Sequence, residues 1–171
     1  FSGVATKVAV STAVAPKTVI YTKAGTSTSN VAVISVTDAA GAALSGTQTF
    51  TVTSSDVAQI ASASVGAYDS TLGGYPLTTV TANGAASGKA VTLTISIADP
   101  ADTTGVAKLT TTHAVTMGGA TAKEVISFDK SSYGAGEAMV VTITATDSSG
   151  NPAYDGDNSP ALTGSKATGG S

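Results

Sequence analysis

At 171 residues the chain has room for one ordinary domain and part of a second, and 42% hydrophobic residues, mainly Ala and Val, suffice for a core. Only 11% of residues are charged, all eight basic ones are Lys and the formal charge is −3; an average soluble protein carries about 25%, and the balance argues against nucleic-acid binding. The absence of Cys excludes disulfides, thiolate metal sites and cysteine nucleophiles, and no run approaches the roughly eighteen apolar residues of a membrane span.

Alternation with a period of two dominates the chain. Strands are expected near 6–12, 18–22, 30–38, 47–53, 57–65, 76–82, 89–98 and 108–117, separated by Gly-, Asn- and Asp-bearing turns at 23–26, 40–46, 68–74, 83–88 and 99–105. In 47–53, Phe50 and Val52 face inward and the Thr residues outward. In 89–99, Val91, Leu93, Ile95 and Ile97 share one face, and Thr92, Thr94 and Ser96 the other. Leu109, Val115 and Met117 line one side of 108–117. Such strands are half-buried and antiparallel, apolar within and hydroxylated without. Residues 54–63 have room for one turn of helix, which their β-branched residues oppose. Met117-Gly118-Gly119-Ala120 marks a boundary, after which 123–130 and 138–147 open a second unit.

One phrase occurs twice. VAVISVTDAAGAALSG (31–46) and VVTITATDSSGNPAYD (140–155) both close a β-rich run on Thr-Asp, two small residues and Gly, with Asp147 following Asp38 by 109 residues. In the second copy Asp147 accepts backbone N–H bonds as Asx-turns do, and Gly150 supplies the left-handed position. Pro152 holds Asn151 extended. The expected fold is all-β: tandem antiparallel β-sandwich domains, a complete one at 1–117 and an incomplete one at 118–171. Three or so strands leave long open edges, so the second unit is expected to be truncated or completed by a neighbour. A chain that starts at Phe1 rather than Met is read as a processed or partial one.

The stretch EVISFDKSSYGAGEAMVVTITATDSSGNPAYDGD (124–157) resembles the opening of an Ig-like repeat of bacterial and archaeal surface-layer (S-layer-like) or adhesin-type cell-surface proteins. The residues that carry the resemblance are Asp129, Lys130, Tyr133, Gly136 and Glu137, then Asp147, Gly150, Asn151 and Pro152. The first unit keeps Tyr21, Gly25, Asp38 and Gly41 but has Ala42-Ala43 in place of Asn-Pro. The resemblance implies Ig-like sandwiches, an extracellular cell-surface location and self-association with copies of the same protein. Tyr133 is expected to cap a sandwich end with its ring while its hydroxyl reaches backbone.

Asp147, Asn151, Asp155, Asp157 and Asn158 supply oxygen donors of the kind calcium takes. The same stretch also reads as a turn followed by a solvated acidic loop, and its spacing is not that of an EF-hand. Asp99 and Asp102 form a weaker metal candidate, beside a strand-ending role. His113 is the only histidine and reads as a partly buried strand residue. No Ser stands in a Gly-x-Ser-x-Gly elbow, and the only glutamates, Glu124 and Glu137, both lie in the short second unit. Enzymatic function is therefore not expected, nor is any cofactor beyond calcium. Lys7, Lys123 and Glu124 are the residues for an internal isopeptide bond. The expected role is a structural component of an extracellular array. The alternatives are an adhesin or carbohydrate-binding stalk, using Tyr68, Tyr75 and Tyr154 in loops for a glycan, or a virion decoration domain.

Overall fold

The computed structural model describes residues 3–11 and 19–157. Ten strands and no helix occur among them: β1 (Lys7–Ser11), β2 (Tyr21–Lys23), β3 (Ser27–Thr37), β4 (Thr51–Ser54), β5 (Ile60–Val65), β6 (Tyr75–Thr81), β7 (Ala90–Ala98), β8 (Lys108–Gly118), β9 (Lys123–Phe128) and β10 (Val141–Thr146). The expected all-β class therefore holds. The eight strands anticipated before residue 118 all form where described. Thr12, Thr18 and the tail from Asn158 lie outside the described residues.

Two four-stranded sheets, ordered β1-β3-β6-β5 and β2-β8-β7-β4, build a β-sandwich-like body. Pairing is antiparallel except between β2 and β8, which run parallel with Tyr21 opposite Thr116. The core joins Ile34, Val36, Tyr75 and Leu77 of one sheet to Val91, Leu93, Ile95, Val115 and Met117 of the other. Alternation along β7 is the cause on one side: Val91, Leu93, Ile95 and Ile97 are all buried, as their spacing predicts. Each fully buried side chain of this size contributes roughly 1.5–3 kcal/mol. Phe50 and Val52 pack on this core from the other end of the sheet.

Three departures from the expected pattern have local causes. The segment 54–63 makes no helix: Asp56 Oδ1 accepts the Ala58 N–H, and Ile60 N donates to Asp56 O, so one capped turn delivers Ile60 into β5. β3 begins earlier than expected and shifts register between Thr28 and Ala32, where Asn30 has φ 56°. Asn is one of the few non-glycine residues that enters this region readily. Threonine is also not confined to the outside. β6 turns Tyr75, Leu77, Thr79 and Thr81 inward, and the hydroxyls of Thr79, Thr81 and Thr22 are buried without a hydrogen-bond partner.

β9 and β10 form a separate two-stranded ribbon. Its register places Glu124, Ile126 and Phe128 opposite Ala145, Ile143 and Val141, so these six share one face. In β1–β3 the same steps from the opening Lys–Thr pair hold Val8 opposite Val36 and Val10 opposite Ile34, all in or against the core. On the ribbon, Ile126 and Phe128 stay 45% and 55% exposed, because no second sheet among the described residues covers them.

The loop between β9 and β10 is sewn by the side chains of the Asp-Lys-x-x-Tyr-x-x-Gly-Glu stretch. Tyr133 Oη–H donates to Asp129 Oδ1 at 2.5 Å and accepts the Lys130 N–H at 3.1 Å, so its hydroxyl does reach backbone. Asp129 Oδ1 also accepts Val140 N–H, while Lys130 pairs with Glu137. The Tyr133 hydroxyl holds the Asp129 carboxyl below its ordinary range, and the Lys130 ammonium does the same to Glu137.

Candidate interface between the sandwich and the ribbon

The ribbon is joined to the sandwich by the residues that follow β10, and Asp147 organises them. Its Oδ1 accepts the Ser149 and Asn151 N–H groups at 2.9 and 2.8 Å, and Gly150 takes φ 84°. This Asx geometry leaves Oδ2 aimed out of the turn. There the Ser87 Oγ–H donates to it, and Asn151 Nδ2 donates to Ser87 Oγ at 3.0 Å. Ser87 belongs to the turn between β6 and β7, 60 residues away. Asp147 is thus a buried carboxylate that spans the two bodies. The Ser87 hydroxyl, with the Asn151 and Ser149 donors behind it, holds its carboxyl below the usual range against the opposing effect of burial.

Glycines make the close approach possible. Gly88 has φ 76°, and a Cβ on it would collide with the Asn151 amide. Gly118 is buried, and a Cβ there would strike the Tyr154 backbone. Gly119 lies so close to Asp147 that a Cβ would meet its carboxylate. The dipeptide anticipated as a boundary is therefore tightly held: Gly118 ends β8, and Gly119 N–H donates to Pro152 O at 3.2 Å. Tyr154 N–H returns a bond to Gly119 O at 2.9 Å.

A second set of contacts grips β2. Asp155 N–H donates to Tyr21 O, and Tyr21 N–H donates to Asp155 Oδ2, both at 2.9 Å. Asp157 accepts the Thr121 N–H at 2.6 Å and the Tyr154 Oη–H at 2.8 Å. Lys23 Nζ stands 4.8 Å from the centroid of the Tyr154 ring, a cation–π distance. These residues border an open concavity of about 470 Å³ between Tyr21, Thr121, Glu124, Ile143 and Asp157.

Four of the five candidate calcium residues are thereby placed. Asp147 and Asn151 meet at Ser87, whereas Asp155 turns to Tyr21 and Asp157 to Thr121. Calcium takes six to eight oxygens, and among the described residues no three acidic or His side chains converge. In this geometry the carboxylates accept protein N–H and O–H groups, those of Asp147 and Asp155 reaching the sandwich at Ser87 and Tyr21. Asn158 lies outside the described residues.

The other candidates separate. Asp102 accepts Thr104 through Oδ1 and the Val106 and Ala107 N–H groups through Oδ2, which pins the β7–β8 turn and lowers its pKa to about 2. His113 stands opposite Leu93, and burial pushes its pKa down while a bond to the Val31 carbonyl opposes the shift. Lys7 and Lys123 are both exposed, opposite Thr37 and Thr146. Tyr75 corrects its expected loop position: it begins β6, is 1% exposed and packs edge-on against Phe50 and Tyr68. Its Oη lies 2.9 Å from Leu44 O and 2.5 Å from Gly46 O, so it offers no face to a glycan. Tyr154 is likewise held in the junction.

Ser87, Gly88 and Tyr21 carry no signal of this role. In sequence Ser87-Gly88 is only the end of a turn, and its partner lies in another unit. No family model, curated protein or solved structure matches the chain.

Proposed function

We propose that this chain is a structural element of an extracellular array, built from tandem Ig-like sandwiches, with a surface layer as the setting that fits best. The observation that carries the proposal is the junction itself: a loop of the second unit is bonded to two separate parts of the first, through Ser87 and Tyr21, while Asp157 ties the same loop to the connector at Thr121. Flexible linkers make beads on a string, whereas a junction with this many directed bonds makes a stiff rod. Two further observations support it. The strand order β1-β3-β6-β5 facing β2-β8-β7-β4 corresponds to the ABED and GFC sheets of immunoglobulin domains, with β2 as an added edge strand on the second. The ribbon repeats the β1–β3 pairing, Lys opposite Thr at its start.

The mechanism is mechanical. Sandwich cores keep each unit rigid, hydroxyl-rich low-charge faces allow close packing, and bonded junctions fix direction. Copies of the protein are then the principal partner. The test is immunogold labelling and cryo-microscopy of envelopes of cells that produce the protein. A periodic label on a regular array is expected. Label confined to the cytoplasm, or scattered without period over the envelope, would overturn the proposal.

A further inference from the structure

Two loops of this chain share one construction, and among the described residues only one of them is docked. Asp38 Oδ1 accepts the Ala40 and Ala42 N–H groups at 2.9 Å, as Asp147 Oδ1 accepts those of Ser149 and Asn151. Asp38 N–H donates to Ala42 O and Gly41 N–H to Asp38 O; Asp147 N–H donates to Asn151 O and Gly150 N–H to Asp147 O. Gly41 and Gly150 have φ 81° and 84°. Gly3 touches the Asp38 carboxylate as Gly119 touches that of Asp147, each leaving no room for a Cβ. The correspondence continues along the chain. At the same interval of 109 residues Ala42, Ser45 and Gly46 correspond to Asn151, Tyr154 and Asp155, which grip the sandwich, and Gln48 to Asp157.

The difference lies in what faces them. Asp147 Oδ2 holds Ser87, whereas no described residue donates a hydrogen bond to Asp38 Oδ2. Beside it opens a concavity of about 440 Å³, bordered by Gly3, Asp38, Leu44, Gly46 and Gln48. Tyr75 fixes the far wall through the carbonyls of Leu44 and Gly46, so the hollow is a built surface of the sandwich. Smaller side chains at 42, 45 and 46 keep it open.

We infer that this concavity docks the end of another β-sandwich in line, one that presents a hydroxyl followed by a positive-φ glycine as Ser87-Gly88 does, joined in the same polypeptide ahead of Gly3. The inference rests on the array proposed above. The in-line source follows from the docked case: Gly119 is one peptide bond from the end of β8, so loop and rim are adjacent by connectivity. A free second copy has no such rim to offer, because its Ser87 and Gly88 are covered by its own Asp147 loop.

The test is a fusion in which residues 3–118 are placed directly before Gly3 of the full chain. The leading part carries the core, since all core residues among the described ones lie between Ala5 and Met117. Paired spin labels, one at Thr110 of the leading sandwich and one at Val57 of the trailing one, read the distance between them. A single narrow distance is expected, lost when Ala42→Arg fills the trailing concavity and lost when the leading Ser87 becomes Val. Ala42 is exposed on a turn, so its variant leaves the sandwich folded, which the unchanged Tm checks. A broad distribution in the unsubstituted fusion, or a narrow one indifferent to both substitutions, would overturn the inference. So would a concentration-dependent dimer of the unfused chain that Ala42→Arg abolishes, which would assign the surface to a second copy. A second label pair across the Ser87–Asp147 junction separates the two failures. If that distance stays narrow while the new one is broad, only this inference falls; if both are broad, the rigid array falls as well.

Discussion

At the scale of single residues, the chain uses carboxylates as backbone acceptors. Asp102 is the clearest case, with both oxygens engaged and its pKa lowered from an ordinary 3.8 to about 2. A carboxylate with a depressed folded pKa contributes stability that is present above its unfolded pKa and disappears as pH falls through the folded one. Asp102→Asn should therefore lower Tm at neutral pH, and the gap between variant and parent should close as pH falls from 3.8 to about 2. His113 acts in the same direction at higher pH, because a depressed imidazole pKa makes the folded state resist protonation below 6.5. That contribution is common to both proteins and cancels in the comparison. Thr79 presents the opposite situation, a buried hydroxyl with no partner. Leaving such a group unsatisfied costs about 1–3 kcal/mol. Thr79→Val, of nearly the same shape, should raise stability by about 1 kcal/mol in denaturant unfolding. A fall in stability would mean that the hydroxyl is satisfied after all.

At the scale of elements, β7 was legible from its spacing and β6 was not. Val91, Leu93, Ile95 and Ile97 separate cleanly from Thr and Ser, so the sequence itself tells the inner face. In β6, Thr occurs at both parities, at 78 and at 79 and 81, and the period of two cannot choose between them. Tyr75, between Gly74 and Pro76, carries turn chemistry on both sides and yet opens the strand. β2 is three residues long and pairs in parallel with a strand far along the chain, which no local pattern encodes. The Asp147 turn was readable because its Asp, Gly, Asn and Pro act within six residues. Its partner was not, because the Ser87 contact depends on how two bodies dock. Leu93→Ala should cost about 2–5 kcal/mol by leaving a cavity in the core. Gly88→Val should act otherwise: strained at its φ and colliding with Asn151, it should release the ribbon while most core amides keep their exchange protection. Collapse of core protection in Gly88→Val would show that junction and core are one cooperative unit.

At the scale of the molecule, the sandwich and the ribbon are expected to behave as one body. The bonds through Ser87 and Tyr21 come from two places in the sandwich, and rotation about either one breaks the other. The carboxylates of Asp147, Asp155 and Asp157 are already engaged by protein donors, so a calcium chelator should leave the junction unchanged, which a chelator titration followed by the chemical shifts of Ser87 and Tyr21 would show. The apolar face of the ribbon, with Ile126, Phe128, Val141 and Ile143, is left open among the described residues. The most direct measurement is of residual dipolar couplings for the amides of β1–β8 and of β9–β10 in one weakly aligned sample. A single alignment tensor of one magnitude and orientation should fit both sets. Two tensors, with the ribbon's markedly smaller, would mean that the ribbon swings freely and that the junction does not stiffen the chain.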